Sequence, residues 1–230
     1  MKKIIAIFKK QVKDTLKNKT VFIQFVMFPA MTLIMNNAIR IEEMPKNFFV
    51  FLFATMYIGM APLTGMSAVI SEEKEKNTLR VLLMSNVKPH EYLIGVGSYI
   101  WAACMLGAAV ICAAGDYDLK ERVCFMLVMA VGILVSLLVG AAIGTWSRTQ
   151  MIATSVTVPV MIVFSFLPML SLFNSTIAGV AKYTYSEQIR LLLSEIGDLR
   201  FSAERICILA ANMLIFTGLF LVSYKRSELA

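Results

Sequence analysis

The chain has 230 residues, 58% of them hydrophobic and 16% charged, with a formal net charge of +7 and a mean hydropathy of +0.74. These proportions fit a bundle dissolved in lipid better than a soluble domain. The basic excess collects at the ends of apolar runs, so it needs no nucleic acid to explain it and none is expected as a partner.

The first 19 residues predict an amphipathic helix lying on the membrane surface. Ile4, Ile5, Phe8, Val12 and Leu16 share one face, whereas Lys2, Lys9, Lys10, Lys13 and Lys17 share the other, an arrangement suited to anionic lipid. A bend near Lys19 leads into the first span. The lysines continue to that point with no short apolar core and cleavage site, which argues against a signal peptide.

Six apolar runs follow, at 20–39, 48–70, 92–114, 123–146, 151–173 and 206–224. Each approaches the roughly 20 residues that a helix needs to cross ~30 Å of hydrocarbon. None alternates with a period of two, so helices are the expected means of satisfying the backbone in lipid. The expected fold is an all-α integral membrane protein: a surface helix at 1–19 and a six-span domain at 20–230, with a charged connection at 71–90 and an external one at 174–205. An even number of spans puts both termini on one side. That side holds fourteen Lys and Arg, among them Lys74, Lys76, Arg80, Lys88, Arg148, Lys225 and Arg226, against eight on the other. The richer face is therefore read as cytoplasmic.

Within the runs, no Asp, Glu, Lys, Arg or His occurs, so the usual mid-membrane group of an ion-coupled carrier is missing. Gly132, Ser136, Gly140 and Gly144 recur every four residues, a stripe along which another helix can approach closely. Pro62, Pro159 and Pro168 interrupt the second and fifth runs, as packing kinks or as gating bends. The sixteen methionines suit adaptable packing or the lining of a path for a greasy substrate.

Enzyme signatures are lacking. No GxxxxGK[ST] offers a phosphate-cradling loop, so ATP and Mg²⁺ are expected to act only through a partner subunit, with no cofactor, metal or catalytic residue in this chain. His90 is the only histidine, which removes the ligands that a metalloprotease would set around Glu72 and Glu73. Cys104, Cys112, Cys124 and Cys207 have no metal-ligand spacing and read as packing residues.

The charged connection carries the functional signal. Glu73-Lys74-Glu75-Lys76-Asn77-Thr78-Leu79, then Leu82-Leu83, Val87 and Leu93-Ile94-Gly95, resembles the cytoplasmic segment of ABC-2 type transporter permeases. That family commonly reads Glu-Arg/Lys-Glu-x-Gly-Thr-Leu, two leucines, Pro-Val and a later Gly-Lys. Here Asn77 replaces the glycine, Asn86 the proline and Val96 the lysine. Asparagine best tolerates a left-handed turn among non-glycine residues, so Asn77 is expected to keep the break.

The resemblance implies a dimeric membrane subunit, each copy seating a short coupling helix in a separate ATP-binding cassette subunit. On this reading Glu72, Glu73, Lys74, Glu75 and Lys76 form a polar rim, Asn77 and Thr78 the turn, and Leu79, Leu82 and Leu83 the apolar contact. Tyr57, Met60, Pro159, Phe164, Pro168 and Met169 are candidates for the translocation path by family analogy. The expected function is export of an amphipathic or hydrophobic substrate, such as a peptide, antibiotic or lipid-like molecule, with polysaccharide or drug as alternatives. A non-transporting immunity or sensor subunit is the rival reading.

Overall fold

The computed structural model describes residues 2–17, 19–39, 46–198 and 202–227, and all regular structure among them is helical. In chain order the helices are α1 (Lys2–Lys17), α2 (Lys19–Ala38), α3 (Phe48–Glu75), α4 (Thr78–Met84), α5 (Pro89–Ala114), α6 (Leu119–Trp146), α7 (Gln150–Ser171), α8 (Ser175–Ala181), α9 (Tyr185–Ser194) and α10 (Ala203–Arg226), with a 3-10 turn at Ile196–Asp198. Five of them, α3, α5, α6, α7 and α10, are long and apolar enough to cross a membrane, and Phe22–Ala38 within α2 adds a shorter apolar stretch. The bend expected near Lys19 involves Asn18, between α1 and α2, which lies outside the described residues. Arg40, Arg200 and the side chains of Lys2, Leu16, Lys17, Lys19 and Leu83 lie outside the described residues.

The helix starts are set by local chemistry. Glu91 accepts the Lys88 amide at 3.0 Å beneath Pro89, and Glu121 accepts the Asp118 amide at 2.8 Å. Both satisfy a donor that the first turn leaves free. Thr149, Asn174 and Thr184 cap α7, α8 and α9 through their side-chain oxygens.

The bundle is organised around α3, which packs against α2, α5, α6, α7 and α9. From Val50 to Gly59 every residue of α3 is buried, so this helix has no lipid face there, as its apolar circumference requires. By contrast α10 rests on α6 and α9 at the edge, with Leu209 its one buried residue among those described.

Both long connections hold helices. Within 71–90, where a short helix was expected and α4 is found, α3 continues to Glu75, helped by the i,i+4 pair of Glu72 and Lys76 at 2.5 Å. Asn77 then breaks it with φ 56. Asn86 also has a positive φ, 63, a backbone that proline, with φ fixed near −65°, cannot adopt. The external segment at 174–205 contains α8 and α9, and α9 folds inward so that Tyr185–Ile189 and Arg190 are buried against the spans.

That inward fold brings charge into the bundle. Arg190 binds Glu187 through two hydrogen bonds of 2.9 and 2.6 Å, and Ser171 of α7 donates to the same carboxylate at 3.0 Å. A buried pair persists because each charge and its hydrogen bonds answer the other. The six runs contain no Asp, Glu, Lys, Arg or His, yet among the described residues the folded bundle holds a buried ion pair supplied by a connection.

The small stripe of α6 lies on α3. A Cβ at Gly140 would overlap the Leu63 carbonyl oxygen, one at Gly144 would stand 2.9 Å from the Ile70 Cβ, and one at Gly132 2.9 Å from the tip of Ile58. Ser136, in the same stripe, donates to the Ile58 carbonyl at 2.7 Å. That carbonyl lies four residues before Pro62, so the proline has removed its helical donor. The serine supplies the replacement, and Tyr185 of α9 bonds the same hydroxyl at 2.7 Å.

Candidate functional site

The N-terminal end of α5, the C-terminal end of α3, α4 and α1 meet at one end of the bundle. Gly95 lets α1 come close: a Cβ there would stand 2.9 Å from the Ile7 side chain. The docked face of α1 is consequently centred on Ile7, Gln11 and Thr15, all buried, with Ile4, Phe8 and Val12 half-buried beside them. Ile5, expected on the apolar face, is 51% exposed. The reason is that α1 packs on protein, chiefly α5, and is not laid on lipid alone. Lys9 and Lys13 point outward, whereas Lys10 turns in.

Lys10 and Gln11 both bind Glu73, at 2.5 and 2.7 Å. Glu73 is 7% exposed, so it belongs to the seam between α1 and α3 and not to a solvated rim. The next two residues make links of their own. Lys74 donates to the Thr145 carbonyl at the end of α6, at 2.6 Å, and Glu75 accepts the Gln150 amide at the start of α7, at 2.7 Å. Three consecutive side chains thus tie the end of α3 to α1, α6 and α7. Lys3 adds a bond to the Asn86 carbonyl in the turn after α4.

The corner itself is tight. Thr78 is exposed and donates from its hydroxyl to the Glu73 carbonyl at 3.1 Å. Glu72 is half-buried, Lys76 and Asn77 are exposed, and Glu72 raises the pKa of the Lys76 ammonium by hydrogen bonding and charge. Leu79 and Leu82 of α4 face the bundle: Leu79 is 3% exposed and Leu82 is half-buried against the core. Leu79 is therefore not a free docking residue, because a seven-residue helix needs an apolar foothold on its own protein before it can present anything. The outward side carries Arg80, Val81 and Met84, the last two 61% and 80% exposed. The sequence reading missed this pair, whose i,i+3 spacing opposite the leucines was the available signal.

The candidates for a path are dispersed. Tyr57 is completely buried between α2 and α5, with its ring 6.5 Å from Phe28 and its hydroxyl under Gly107, and lines no open surface. Phe164 packs on Tyr185 and Phe216 at 4.8 and 5.8 Å. Pro168 is buried, Met60 and Met169 are half-buried, and Pro159 is exposed. Beside Glu75, however, Pro159 helps line a cleft of about 740 Å³ whose other walls are Gln150, Met151, Thr154, Ser155 and Val158. Hydroxyls and apolar side chains alternate there on α7. Among the described residues no cluster of three or more His, Cys, Asp or Glu could hold a metal, and the four cysteines are free.

A comparison with curated proteins finds no match. The sequence profile of the ABC-2 family transporter proteins matches residues 4–222, from the first turn of α1 to the last turns of α10, and the chain belongs to that family.

Proposed function

We propose that this permease subunit works as one of two copies in an ATP-driven exporter, with α4 seated on a separate ATP-binding subunit. The observation that carries the reading is the corner at which Glu73, Lys74 and Glu75 join α3 to three other helices. Movement imposed on α4 would reach α1, α6 and α7 together, through short charge-assisted contacts and not through a slack loop. Arg80, Val81 and Met84 form the part of α4 open to a partner, an exposed apolar pair with a cation beside it.

The cargo is an amphipathic or hydrophobic molecule. The cleft along α7, with Thr154 and Ser155 beside Met151, Val158 and Pro159, supports that class because it offers hydroxyls next to apolar surface and no charge besides Glu75. ATP and Mg²⁺ belong to the partner, and the corner faces the cytoplasm, where ATP is.

The test is the double variant Val81→Asp, Met84→Asp, purified from cells that co-express the ATP-binding subunit. A carboxylate desolvated in the seat should weaken recovery of that subunit about tenfold or more and reduce efflux equally. Both positions are exposed, so the thermal melt of the isolated chain should stay unchanged. Recovery and efflux at the level of the unaltered protein would remove α4 from the interface.

A further inference from the structure

Between α1, α2 and α5 runs a groove of about 550 Å³ on the outside of the bundle. Phe8 and Val12 of α1 cover one end. From there it follows α2 from Phe22 to Leu33 and α5 from Tyr99 to Val110. Each of those stretches covers eleven steps along its helix, which at ~1.5 Å per step gives about 16 Å. One leaflet of hydrocarbon is about 15 Å deep, half of the ~30 Å core. The polar groups of the lining sit at the α1 end, where Thr15 and Tyr99 meet, and the rest is apolar.

The mouth is cationic. Lys9 and Lys13 follow directly after Phe8 and Val12, about 100° further round α1, and both side chains are exposed. Neither forms an ion pair with the described residues, whereas Lys10, between them in sequence, is taken up by Glu73.

We propose that this groove holds one acyl chain of an anionic phospholipid whose phosphate rests on Lys9 and Lys13. The groove matches a chain in length and polarity, and the lysines match the headgroup in charge. A bound lipid would fill the space between α1 and the spans, and so brace the helix that carries Lys10 and Gln11 to Glu73. The inference rests on α1 lying at the membrane surface and is independent of what the exporter carries. Its failure would leave recovery of the ATP-binding subunit untouched.

The test is native mass spectrometry of the full chain released from detergent micelles, after titration with phosphatidylglycerol or with phosphatidylcholine of identical acyl chains. The unaltered protein should retain one phosphatidylglycerol per chain, roughly tenfold or more in preference to phosphatidylcholine. Lys9→Glu with Lys13→Glu should abolish the preference but keep weak retention of both lipids. Ala102→Trp, which fills the groove from α5, should abolish retention of both, and Val110→Trp at the far, exposed end does the same duty should Ala102→Trp fail to fold. Equal retention of the two lipids by the unaltered protein, or undiminished retention in a folded tryptophan variant, would overturn the proposal. So would a dimer that the tryptophan dissociates with no lipid retained by the unaltered protein, since a second copy would then occupy the groove.

Discussion

Glu73 shows how one side chain can be misassigned by a motif and placed by its neighbours. In the sequence it stands in a run of alternating charge, which reads as a solvated rim. In the fold it is buried, with Lys10 at 2.5 Å and Gln11 at 2.7 Å. Hydrogen bonds to a charged group contribute about 1.5–3 kcal/mol, but the Lys10 side chain is 36% exposed and water screens its share. Glu73→Ala is therefore expected to cost about 2 kcal/mol and Lys10→Ala less than about 1 kcal/mol. Thermal unfolding in micelles, run as a double-mutant cycle, checks both. Zero coupling would mean that the two side chains stand together without holding each other. The partner could not be read from the run because it lies 63 residues away, on a helix that comes close to α5 at Gly95. Asn77 was legible, since the left-handed turn is a property of the residue itself, and its φ of 56 agrees with that reading.

At the scale of elements, a stripe of small residues announces close packing but not its partner. The spacing of Gly132, Ser136, Gly140 and Gly144 is plain in the sequence, yet that the stripe meets α3, and that Ser136 caps the carbonyl freed by Pro62, is visible only in the fold. The same contact bears on Pro62: the carbonyl that its ring leaves without a helical donor is held by Ser136, itself bonded to Tyr185, which ties α3, α6 and α9 together at that point. Gly140→Ala should accordingly destabilise by about 1–3 kcal/mol, because the new methyl meets backbone that cannot turn aside. Gly132→Ala should cost less, since it meets the ends of Ile58 and Ile189. Gly218→Ala, with nothing within 4 Å, should be neutral or slightly stabilising, as alanine favours the helix by up to about 1 kcal/mol. Melting temperatures of the three variants give the order, and a Gly140→Ala protein as stable as Gly218→Ala would show that α3 and α6 part easily. The element least legible was α9, because its charged Glu187 and Arg190 argue for solvent until each is seen to neutralise the other.

For the molecule as a whole, lipid imposes a constraint that sequence reports directly, so the apolar runs and their helical state were legible. Contacts between helices are not constrained in that way, which is why the partners of Glu73, Ser136 and Arg190 needed the fold. The charged residues nevertheless sort into two ends. At one, α1, the α3–α4 corner and the start of α7 are joined by Lys3, Lys10, Lys74 and Glu75. At the other, Lys46 pairs with Asp116 at 2.9 Å and Asn47 accepts the Asp116 amide at 3.0 Å, closing the connections before α3 and after α5. The proposed orientation takes the first end as cytoplasmic from its basic surplus. His90 and Asp116 mark the two ends on one helix and the turn that follows it, and both are exposed. In a protein freed of its four native cysteines, His90→Cys should resist an impermeant thiol reagent in intact cells and react after the membrane is opened, whereas Asp116→Cys should react in both. Cys104 and Cys112 are buried, so alanine at those positions and assembly measured in parallel keep the labelling interpretable. The opposite pattern would put the α4 corner outside the cell, away from ATP, and no coupling through Glu73, Lys74 and Glu75 could then operate.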